Sequence, residues 1–488
     1  MYPSLEEIYQ LMKQDTYGRI PVCREIYSDF ITPIEAMRIL KKVSRHCFLL
    51  ESVEDTKRWG RYTFLGYQPT LEITCDEGRL KIRSDKEIQT LTSHPGEAIR
   101  RILKKYKSPK LSGMPSFTGG LVGYFSYDYI RYAEERLDFH EQAEAFRDVD
   151  LMLFDQVIAF DNLCQKIYLI AGVDTSCAEA SYAEAEAKLL EMEELLKKGD
   201  KAELPVFRKT SPLTPQFSRE EYCHMVERAK KYIYEGDIFQ VVLSNPLRAS
   251  AEGSLFDIYR ALRTENPSPY MFYFSSDDIE IAGASPETLV KLEDGILHTF
   301  PLAGTRKRGK TDTEDMALAE ELLADEKELA EHNMLVDLGR NDIGKISRLG
   351  TVKVEKYKSI ERFSHVMHIG STVTGHIRED KDALDAIDAI LPAGTLSGAP
   401  KIRACEIIRE LEGKRRGVYG GAIGYLDFSG NLDTCIAIRL IYKKNGQICI
   451  RSGAGIVADS VPEKEFEECI NKAKAVVTAM EQAEGGLE

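Results

Sequence analysis

Two pairs of glutamates are the residues of this 488-residue chain that most directly suggest chemistry. Glu328 and Glu331 lie in the stretch EKELAEH, and Glu465 and Glu468 lie in EKEFEEC. On a helix, residues three apart share one face and are separated by one turn. Two such helices facing each other would form an oxygen-rich site for a hard cation. Mg²⁺ fits best, because it binds a few carboxylates and keeps positions for water and a substrate oxygen.

Either pair alone is also explained by a solvated acidic helix face, on which like charges cost only ~0.2–0.5 kcal/mol per pair. Apolar residues beside both pairs predict that the two helices are partly buried. A buried carboxylate needs a cation or must stay protonated. The spacing therefore predicts a metal site on the condition that the two helices meet.

The segment GTRKRGKT, residues 304–311, matches the phosphate-binding pattern G-x-x-x-x-G-K-[ST]. A P-loop follows an apolar strand and opens a helix whose amides face phosphate. Here Pro301 weakens the strand, and the acidic residues after Thr311 would repel a triphosphate while stabilising the helix dipole. Thr311 and Glu314 have capping-box spacing. A nucleotide-binding protein is therefore a disfavoured alternative, although the loop amides and Arg306 suit a carboxylate or a phosphate.

Composition narrows the class of protein. Apolar residues make up 43% and charged residues 30% of the chain, and the net charge is −14. An acidic chain is not expected to bind nucleic acid, although a local basic pocket can still hold a small anion. No signal peptide and no membrane span are expected, because basic and apolar leader regions and long apolar runs are missing. Ten cysteines without C-x-x-C spacing predict free thiols in the cytoplasm.

The elements that must position these residues alternate between strands and helices. The sequence predicts a hairpin of 151–161 with 166–172, a strand at 238–244, and helices at 176–200, 219–237, about 314–338 and 462–483. Three prolines without periodicity indicate a linker at 204–218. We therefore predict an N-terminal lobe at 1–203 and a catalytic region at 219–485.

Two glycine-rich stretches resemble each other, GGLVGYFSYD at 119–128 and GGAIGYLDFS at 420–429. An internal repeat would explain the resemblance. Close packing of strands is the favoured explanation, because glycine inside a strand often marks a close backbone approach.

Ten ordered motifs carry a resemblance to a known family. They are GDIFQVVLS, NPSPYMFYF, GASPE, PLAGTRKRG, DEKELAEHNMLVDLGRND, FSHVMH, PAGTLSGAPK, YGGAIGY, AIRL and SGAGIVADSVPEKEFEECINKA. The chain resembles the chorismate-utilising enzymes, most strongly their anthranilate synthase component I branch. The resemblance implies an α+β fold with two lobes of antiparallel β-sheet, sandwich-like and flanked by helices, with the active site in the cleft. Periodicity alone indicates only a mixture of α and β.

The resemblance also implies a reaction. Ammonia attacks C2 of chorismate while the C4 hydroxyl leaves, and elimination of pyruvate gives anthranilate, the first step of tryptophan biosynthesis. Mg²⁺ is implied as a Lewis acid on the ring carboxylate. Glu331 and Glu468 occupy its ligand positions, with Glu328 and Glu465 as nearby or water-mediated ligands.

Further site residues are implied by the matched motifs. Glu287 matches the general acid that protonates the leaving hydroxide, and His368 matches the base that removes the C2 proton. Thr395 would present a hydroxyl to the substrate. Contacts to chorismate are implied for Gly304, Thr305, Tyr419, Arg439, Gly453, Ala454 and Gly455, with Tyr419 and Arg439 binding the enolpyruvyl carboxylate.

Two positions separate the relatives within this family. Relatives that add water carry a lysine where this chain has Gln240, so glutamine indicates an amine nucleophile. Many aminodeoxychorismate synthases carry a lysine where this chain has Ala303, which favours anthranilate synthase. Some of those synthases also have alanine, so aminodeoxychorismate synthase component I stays an alternative. A tryptophan-binding regulatory protein without activity is disfavoured, because every matched catalytic position is kept.

The stretches LLES and NPSPYMF resemble a feedback site for L-tryptophan. Glu51 and Ser52 would hold the polar groups of the amino acid, and Pro269, Tyr270 and Met271 would form an apolar wall for the indole. A strand end and a proline-fixed turn explain the same residues without a ligand. No cysteine lies in the glycine-rich surroundings typical of glutaminases. We therefore predict a separate glutamine amidotransferase subunit that supplies ammonia, in a heterodimer or heterotetramer.

Overall fold

The computed structural model describes residues 1–52, 60–84, 86–137, 146–362 and 366–487. The α-helices of these residues are α1 (Leu5–Leu11), α2 (Pro33–Val43), α3 (Gly96–Lys105), α4 (Ala178–Lys198), α5 (Arg219–Tyr234), α6 (Phe256–Glu265), α7 (Asp312–Ala324), α8 (Glu326–Gly344), α9 (Ala383–Ile390), α10 (Lys401–Glu412) and α11 (Pro462–Ala483).

The strands of the N-terminal part are β1 (Arg19–Tyr27), β2 (Cys47–Glu51), β3 (Tyr62–Tyr67), β4 (Leu71–Asp76), β5 (Arg79–Arg83), β6 (Glu87–Leu91), β7 (Gly120–Phe125), β8 (Val149–Phe154), β9 (Gln156–Asp161) and β10 (Lys166–Asp174). The later strands are β11 (Arg208–Lys209), β12 (Thr214–Pro215), β13 (Gln240–Glu252), β14 (Tyr270–Ser275), β15 (Ile279–Ser285), β16 (Thr288–Glu293), β17 (Ile296–Thr299), β18 (Leu302–Lys307), β19 (Lys353–Arg362), β20 (Val366–His376), β21 (Gly398–Ala399), β22 (Ala422–Asp427), β23 (Leu432–Ile436), β24 (Leu440–Lys444) and β25 (Gln447–Ile456).

The strands form two antiparallel sheets. The 13-stranded sheet has the order β1-β10-β9-β3-β2-β14-β15-β24-β25-β13-β11, with β12 and β21 also paired to β13. The 12-stranded sheet has the order β18-β20-β17-β16-β23-β22-β7-β8-β4-β5-β6, with β19 paired to β20. Each sheet combines strands from both sides of residues 204–218. That segment itself contributes β11 and β12, and Phe207 within it is buried.

The two sheets pack face to face, which confirms the α+β, sandwich-like prediction. Phe48 of β2 packs edge-to-face on Phe154 of β8, with ring centroids 4.8 Å apart. Phe64, Tyr124 and Phe272 extend this layer between the sheets. The outer face of the larger sheet is buried under α2, α4, α6 and α11, and that of the smaller sheet under α3, α8 and α9. The result is a helix–sheet–sheet–helix arrangement.

The two glycine-rich stretches are neighbouring strands of one sheet. Gly123 of β7 pairs with Gly424 of β22. A Cβ on Gly123 would lie 2.0 Å from the carbonyl oxygen of Asp150, and a Cβ on Gly424 would lie 2.0 Å from that of Asp433. Close strand packing therefore explains these glycines, as the favoured interpretation predicted.

Two predicted elements are divided in the structure. Residues 151–161 form β8 and β9, which belong to different sheets, because the chain crosses between the sheets at Asp155. The expected helix at 314–338 is broken at Asp325, whose carboxylate accepts hydrogen bonds from the amides of Lys327 and Glu328 and so starts α8. The helices predicted at 176–200, 219–237 and 462–483 match α4, α5 and α11 within about three residues.

Candidate active site

The candidate site lies where two connections carry the chain from one sheet to the other. Glu287 lies on the connection that leads from β15 of the larger sheet to β16 of the smaller one. Arg439 lies on the connection that leads back, from β23 of the smaller sheet to β24 of the larger one. The connections are joined by backbone hydrogen bonds from the Ile436 amide to the Glu287 carbonyl, 2.9 Å, and from the Ala284 amide to the Arg439 carbonyl, 3.1 Å. Strand switching at a sheet corner thus brings an acid and a cation together.

Glu287 is poised to hold a proton near neutral pH. Burial raises its pKa to about 7, against the opposing effects of a hydrogen bond from Thr395 and of the nearby Arg439. The Thr395 hydroxyl donates to Oε1 of Glu287 over 3.0 Å. Arg439 itself adopts a left-handed backbone conformation, with φ of 49°, and burial lowers its pKa. The carboxyl can therefore switch between acid and carboxylate in this pH range.

His368 on β20 contacts the glycine loop that follows Pro301. Its Nδ1 lies 2.8 Å from the carbonyl oxygen of Gly304 and 3.1 Å from the hydroxyl of Thr305. A carbonyl only accepts, so Nδ1 carries the proton and Nε2 carries the lone pair of the neutral ring. Burial lowers the pKa of His368, and Arg439 lowers it further. The structure thus holds His368 neutral, as a general base must be.

The paired strands β13 and β25 bring together another group of predicted residues. Gln240 begins β13, and a Cβ on Gly455 of β25 would lie 2.6 Å from its side-chain nitrogen. A Cβ on Gly453 would lie 3.0 Å from the hydroxyl of Tyr419. Ala454, between the two glycines, pairs with Leu243 of β13 and is buried. Side chains at 453 and 455 would fill the space that these polar groups face.

The two helices that carry the glutamate pairs face each other. Glu331 on α8 has a raised pKa, chiefly through burial and then through Glu328, with a contribution from Glu468 on α11. Burial likewise raises the pKa of Glu465, and Lys327 of α8 acts on it across the gap. Glu331 lies close to other protein groups and still keeps solvent-exposed surface. The glutamate pairs of α8 and α11 thus lie close enough for their charges to interact, and the metal site itself stays a prediction.

These carboxylates have protein cations as partners. The ammonium group of Lys472 lies 2.7 Å from the carboxylate of Glu468. Its charge also offsets part of the effect by which burial raises the pKa of Glu331 and of Glu287. Arg306 lies 3.4 Å from Glu328. The sequence prediction missed Lys472. Lys472 comes four residues after Glu468 on the same helix, and this spacing could have predicted the ion pair.

The donor set fits Mg²⁺ in type, because all four groups are carboxylates and two of them resist ionisation without a nearby cation. Among the described residues, no three of the four carboxylates bring oxygen atoms within 4.8 Å of one another. Glu331 and Glu468 are the residues that could hold the ion between the helices, with Glu328 and Glu465 beside them.

The segment 304–311 does not have the geometry of a P-loop. Its first four residues belong to strand β18. The amide of Gly309 donates to Asp315 over 2.9 Å, and the amide of Lys310 donates to Glu314 over 2.8 Å. The amides that would cradle a phosphate are thus occupied by carboxylates of α7. The expected capping box is half formed, because Thr311 accepts from the Glu314 amide while Glu314 caps Lys310 instead.

The stretches of the predicted tryptophan site lie on adjacent strands. Glu51 at the end of β2 pairs with Met271 of β14. The carboxylate of Glu51 accepts a hydrogen bond from Arg263 over 2.6 Å and another from the Tyr259 hydroxyl. In the described part of the chain, the Ser52 hydroxyl and the side-chain amide nitrogen of Asn266 are buried without a hydrogen-bond partner. Buried polar groups of this kind suit a polar ligand.

The remaining residues of this predicted site face different layers. Met271 packs under the helices of the larger sheet, and Tyr270 packs in the layer between the sheets. They point apart because they are consecutive in a strand. Pro269 is half-buried at the start of this strand. Glu51 therefore shares its face with Met271, while the Tyr270 hydroxyl reaches Thr288, 2.9 Å away, and Asp433, 2.8 Å away.

One cluster of metal-ligand type lies outside this site among the described residues. Nε2 of His46 is 2.7 Å from Glu72 and 3.2 Å from Asp277. Arg83 contacts both carboxylates. The hydrogen bond to Glu72 is the largest effect on His46 and raises its pKa. Arg83 provides a positive charge to both carboxylates, and the raised pKa of His46 favours its charged form, so the cluster is explained as an ion-pair network that joins the two sheets.

A family profile and individual relatives both connect this chain to enzymes that bind chorismate. Residues 45–478 match the sequence profile of a family described as chorismate binding enzyme. Anthranilate synthase component 1 of Acetivibrio thermocellus is 48% identical over 494 residues, which cover 99% of each chain. The protein of the same name from Aquifex aeolicus is 44% identical over 491 residues, again covering 99% of each chain.

Solved structures show the same fold. The crystal structure of anthranilate synthase component I from Streptococcus pneumoniae TIGR4 superposes with a TM-score of 0.76 at 40% identity, covering 92% of this chain and 98% of that one. The menaquinone-specific isochorismate synthase of Escherichia coli superposes with a TM-score of 0.70 at 19% identity, covering 98% of each chain, and supports the fold alone. In the part of the chain that the structure describes, no helix combines the length and apolar character needed to cross a membrane.

Proposed function

This chain belongs to the family of chorismate binding enzymes, and from that premise we propose that it is the chorismate-converting component of an anthranilate synthase. It would convert chorismate and ammonia to anthranilate, pyruvate and water. Near-full-length relatives at 41–48% identity support this activity. The observation that carries it is the assembly of Glu287, His368 and Arg439 beside the facing helices α8 and α11.

In the proposed first step, ammonia forms a bond to C2 of the ring and the C4–O bond breaks. Glu287 gives its proton to the departing hydroxide, which leaves as water. A raised pKa supports this role, because a carboxyl with a pKa of about 7 is still substantially protonated at neutral pH. Gln240 supports an amine nucleophile, since an amide side chain cannot act as the base that water would need. The added nitrogen then loses one proton to solvent, which leaves a neutral amine on C2.

In the proposed second step, His368 removes the proton from C2 through Nε2. The C–H electron pair becomes a ring double bond, and the bond from C3 to the enolpyruvyl oxygen breaks. Enolpyruvate leaves and becomes pyruvate, and the ring becomes aromatic. The hydrogen bond from Nδ1 to the Gly304 carbonyl supports this role, because it orients the ring and keeps the lone pair on Nε2.

Mg²⁺ held by Glu331 and Glu468, with Glu328 and Glu465 nearby, would polarise the ring carboxylate of chorismate as a Lewis acid. The chain's own cations would bind the second carboxylate of the substrate. Arg439 suits this task, because its guanidinium offers two parallel donors and makes no hydrogen bond within the described residues. Tyr419 adds a hydroxyl beside Gly453.

We further propose that L-tryptophan inhibits the enzyme at the site predicted from Glu51, Ser52, Pro269, Tyr270 and Met271, in which Glu51 and Met271 share one face of the sheet and Tyr270 lies on the opposite face. The buried carboxylate of Glu51 and the hydroxyl of Ser52, which has no hydrogen-bond partner among the described residues, would meet the amino acid's polar groups. Inhibition requires tryptophan to bind a low-activity arrangement more tightly than the active one.

A partner is proposed because the relatives are named as component 1 of their enzymes. A glutamine amidotransferase subunit would supply ammonia, and the isolated chain would use free ammonia. All ten cysteines are free thiols, which supports the cytoplasm as the compartment.

One assay tests the proposed function. The purified chain is incubated with chorismate, Mg²⁺ and an ammonium salt, and anthranilate fluorescence and pyruvate are measured together. Equal amounts of both products are expected, and added tryptophan should reduce both rates. Aminodeoxychorismate without pyruvate would instead identify an aminodeoxychorismate synthase component. ATP hydrolysis abolished by Lys310→Ala would support nucleotide binding.

A further inference from the structure

A fully buried ion pair lies directly behind the candidate site. Arg416 and Glu412 are four residues apart at the end of α10 and just beyond it, and both are almost completely buried. Nε of Arg416 donates to Glu412 Oε2 over 3.0 Å, and Nη2 donates to Oε1 over 2.5 Å. Burying two charges is unfavourable unless their remaining hydrogen-bonding groups are satisfied. The partners that satisfy them are therefore informative.

The guanidinium of Arg416 joins two separate segments of backbone. Nη1 donates to the carbonyl oxygen of Leu396 and Nη2 donates to that of Val242, both over 2.6 Å. Leu396 ends the 3₁₀ turn Gly394–Leu396, and Val242 lies on β13. These are charge-assisted hydrogen bonds in a water-excluded place, where they are strong and directional.

Glu412 fixes the guanidinium from the other side. Its Oε1 accepts hydrogen bonds from the amide of Ser244, 2.8 Å, and from the hydroxyl of the same residue, 2.9 Å. Arg451 of β25 donates to Oε2 over 3.4 Å. The ion pair is thus anchored to both strands that form one wall of the site.

Both segments held by Arg416 carry residues of the candidate site. The residue before Leu396 is Thr395, whose hydroxyl donates to Glu287. Two residues before Val242 is Gln240, and Val242 itself pairs with Gly455. The geometry therefore ties the donor of Glu287 and the strand of Gln240 to one buried group.

We propose that Arg416 is a positioning residue for the reaction: it holds the 394–396 turn against β13, so that the Thr395 hydroxyl reaches Glu287. This inference rests on the proposed function. Without Arg416 the turn would be released, and the hydrogen bond from Thr395 would be lost or lengthened. That hydrogen bond stabilises the carboxylate, so its loss raises the pKa of the acid group.

The test is the pH dependence of kcat for anthranilate formation, at saturating chorismate and a constant, saturating concentration of free ammonia. Glu287 works as the protonated acid, so kcat falls as pH rises through its pKa. For Thr395→Val we expect this alkaline limb to move upward by about one pH unit, the effect of one hydrogen bond to a charged group. For Arg416→Lys we expect a shift in the same direction, with kcat lowered ~10- to 100-fold.

The double variant Arg416→Lys/Thr395→Val distinguishes positioning from general damage. If Arg416 acts through Thr395, the alkaline limb of the double variant coincides with that of Thr395→Val. Arg415→Lys is the matched control, because Arg415 is equally buried but pairs with Asp148 and Asp76, away from the site. Its alkaline limb should stay at the wild-type pH.

A wild-type alkaline limb in Arg416→Lys, even with a lower rate, would overturn the inference, because partial unfolding lowers the active fraction without moving a pKa. If Arg416→Lys does not fold, Glu412→Gln replaces it. This variant keeps acceptor and shape at Ser244 while weakening the hold on the guanidinium, and an unshifted limb in it would also overturn the inference. A wild-type chain that forms no anthranilate would refute the proposed function itself, before any variant is compared.

Discussion

At the scale of single residues, the site depends on opposing influences on one carboxyl group. Burial raises the pKa of Glu287 to about 7, while the Thr395 hydroxyl and the Arg439 charge act in the opposite direction. Burial alone would make the group a poor proton donor, because an acid with a very high pKa releases its proton reluctantly. The balance of these effects leaves the pKa of Glu287 close to neutral pH.

Glu287→Gln removes the proposed acid and keeps its size. We expect kcat for anthranilate formation to fall ~10²- to 10⁴-fold, the usual contribution of a general acid. The wild-type rate should fall as pH rises through about 7, since the protonated form is the active one. Glu293→Gln, at the half-exposed far end of the following strand, is the control and should retain wild-type activity. A variant at position 287 with a wild-type rate and pH profile would exclude the role.

Glu468→Gln tests the proposed metal site. We expect Mg²⁺-dependent turnover to be abolished while the circular dichroism spectrum and melting temperature stay close to wild type, because Glu468 is half-exposed and its ion pair is with Lys472 on the same helix. Isothermal titration with Mg²⁺ provides a readout that does not depend on activity, and binding should weaken at least ~10-fold. Glu467→Gln, next to it on the exposed face of α11, should bind Mg²⁺ normally. Unchanged binding at position 468 would contradict the assignment.

At the scale of secondary-structure elements, the site is built by crossings rather than by any one strand or helix. Glu287 and Arg439 face each other because two chain segments pass between the sheets side by side. The sheets can support this only if their central strands stay in register. Gly123 and Gly424 lie at such a place, on the adjacent strands β7 and β22.

Gly123→Ala should test that requirement. The added methyl would lie 2.0 Å from the Asp150 carbonyl oxygen, so the strands must separate. We expect the free energy of unfolding to fall by about 3 kcal/mol or more, as overpacking of a well-packed core does. Gly344→Ala is the control, because a methyl at that helical position meets no atom within 4 Å, and stability there should be unchanged or improved. Equal urea midpoints for the two variants would disprove the packing argument.

At the scale of the whole molecule, Tyr270 connects the proposed regulatory site to the strand that follows the proposed acid, Glu287. The hydroxyl of Tyr270 lies 2.9 Å from that of Thr288 and donates to Asp433 over 2.8 Å. Thr288 directly follows Glu287 in the chain. A shift of β14 on tryptophan binding would therefore reach the acid through one side chain and one peptide unit.

Tyr270→Phe should weaken this link while keeping the ring. We expect the tryptophan concentration for half-inhibition to rise ~10-fold, within the usual range of coupling between sites, with KM for chorismate within twofold of wild type. Tyr273→Phe serves as control. It lies on the same strand and its hydroxyl contacts Lys41 and Glu280 instead. Equal loss of inhibition in both variants would indicate a general effect on the strand.

The sequence was sufficient for features that depend on neighbouring residues. The bounds of α4 and α11 follow from composition and capping signals within about two residues. The structural role of segment 304–311 followed from the acidic residues that come directly after it, because the carboxylate of Glu314 is close enough in the chain to reach the amide of Lys310. The motifs likewise determined which residue types could do chemistry, because side-chain chemistry is a property of each residue.

Only the tertiary structure decided which of these residues meet. The crossing at Asp155 was not predicted, because it depends on which sheet each strand joins rather than on local pattern. The break at Asp325 and the pairing of Lys472 with Glu468 were missed although each had a local signal, an N-cap residue and i,i+4 spacing. The spacing of Glu331 and Glu468 could not show that α8 faces α11. The family resemblance alone predicted a protonated Glu287. The effect that raises its pKa is burial, which arises only when two sheets close over residues distant in the chain.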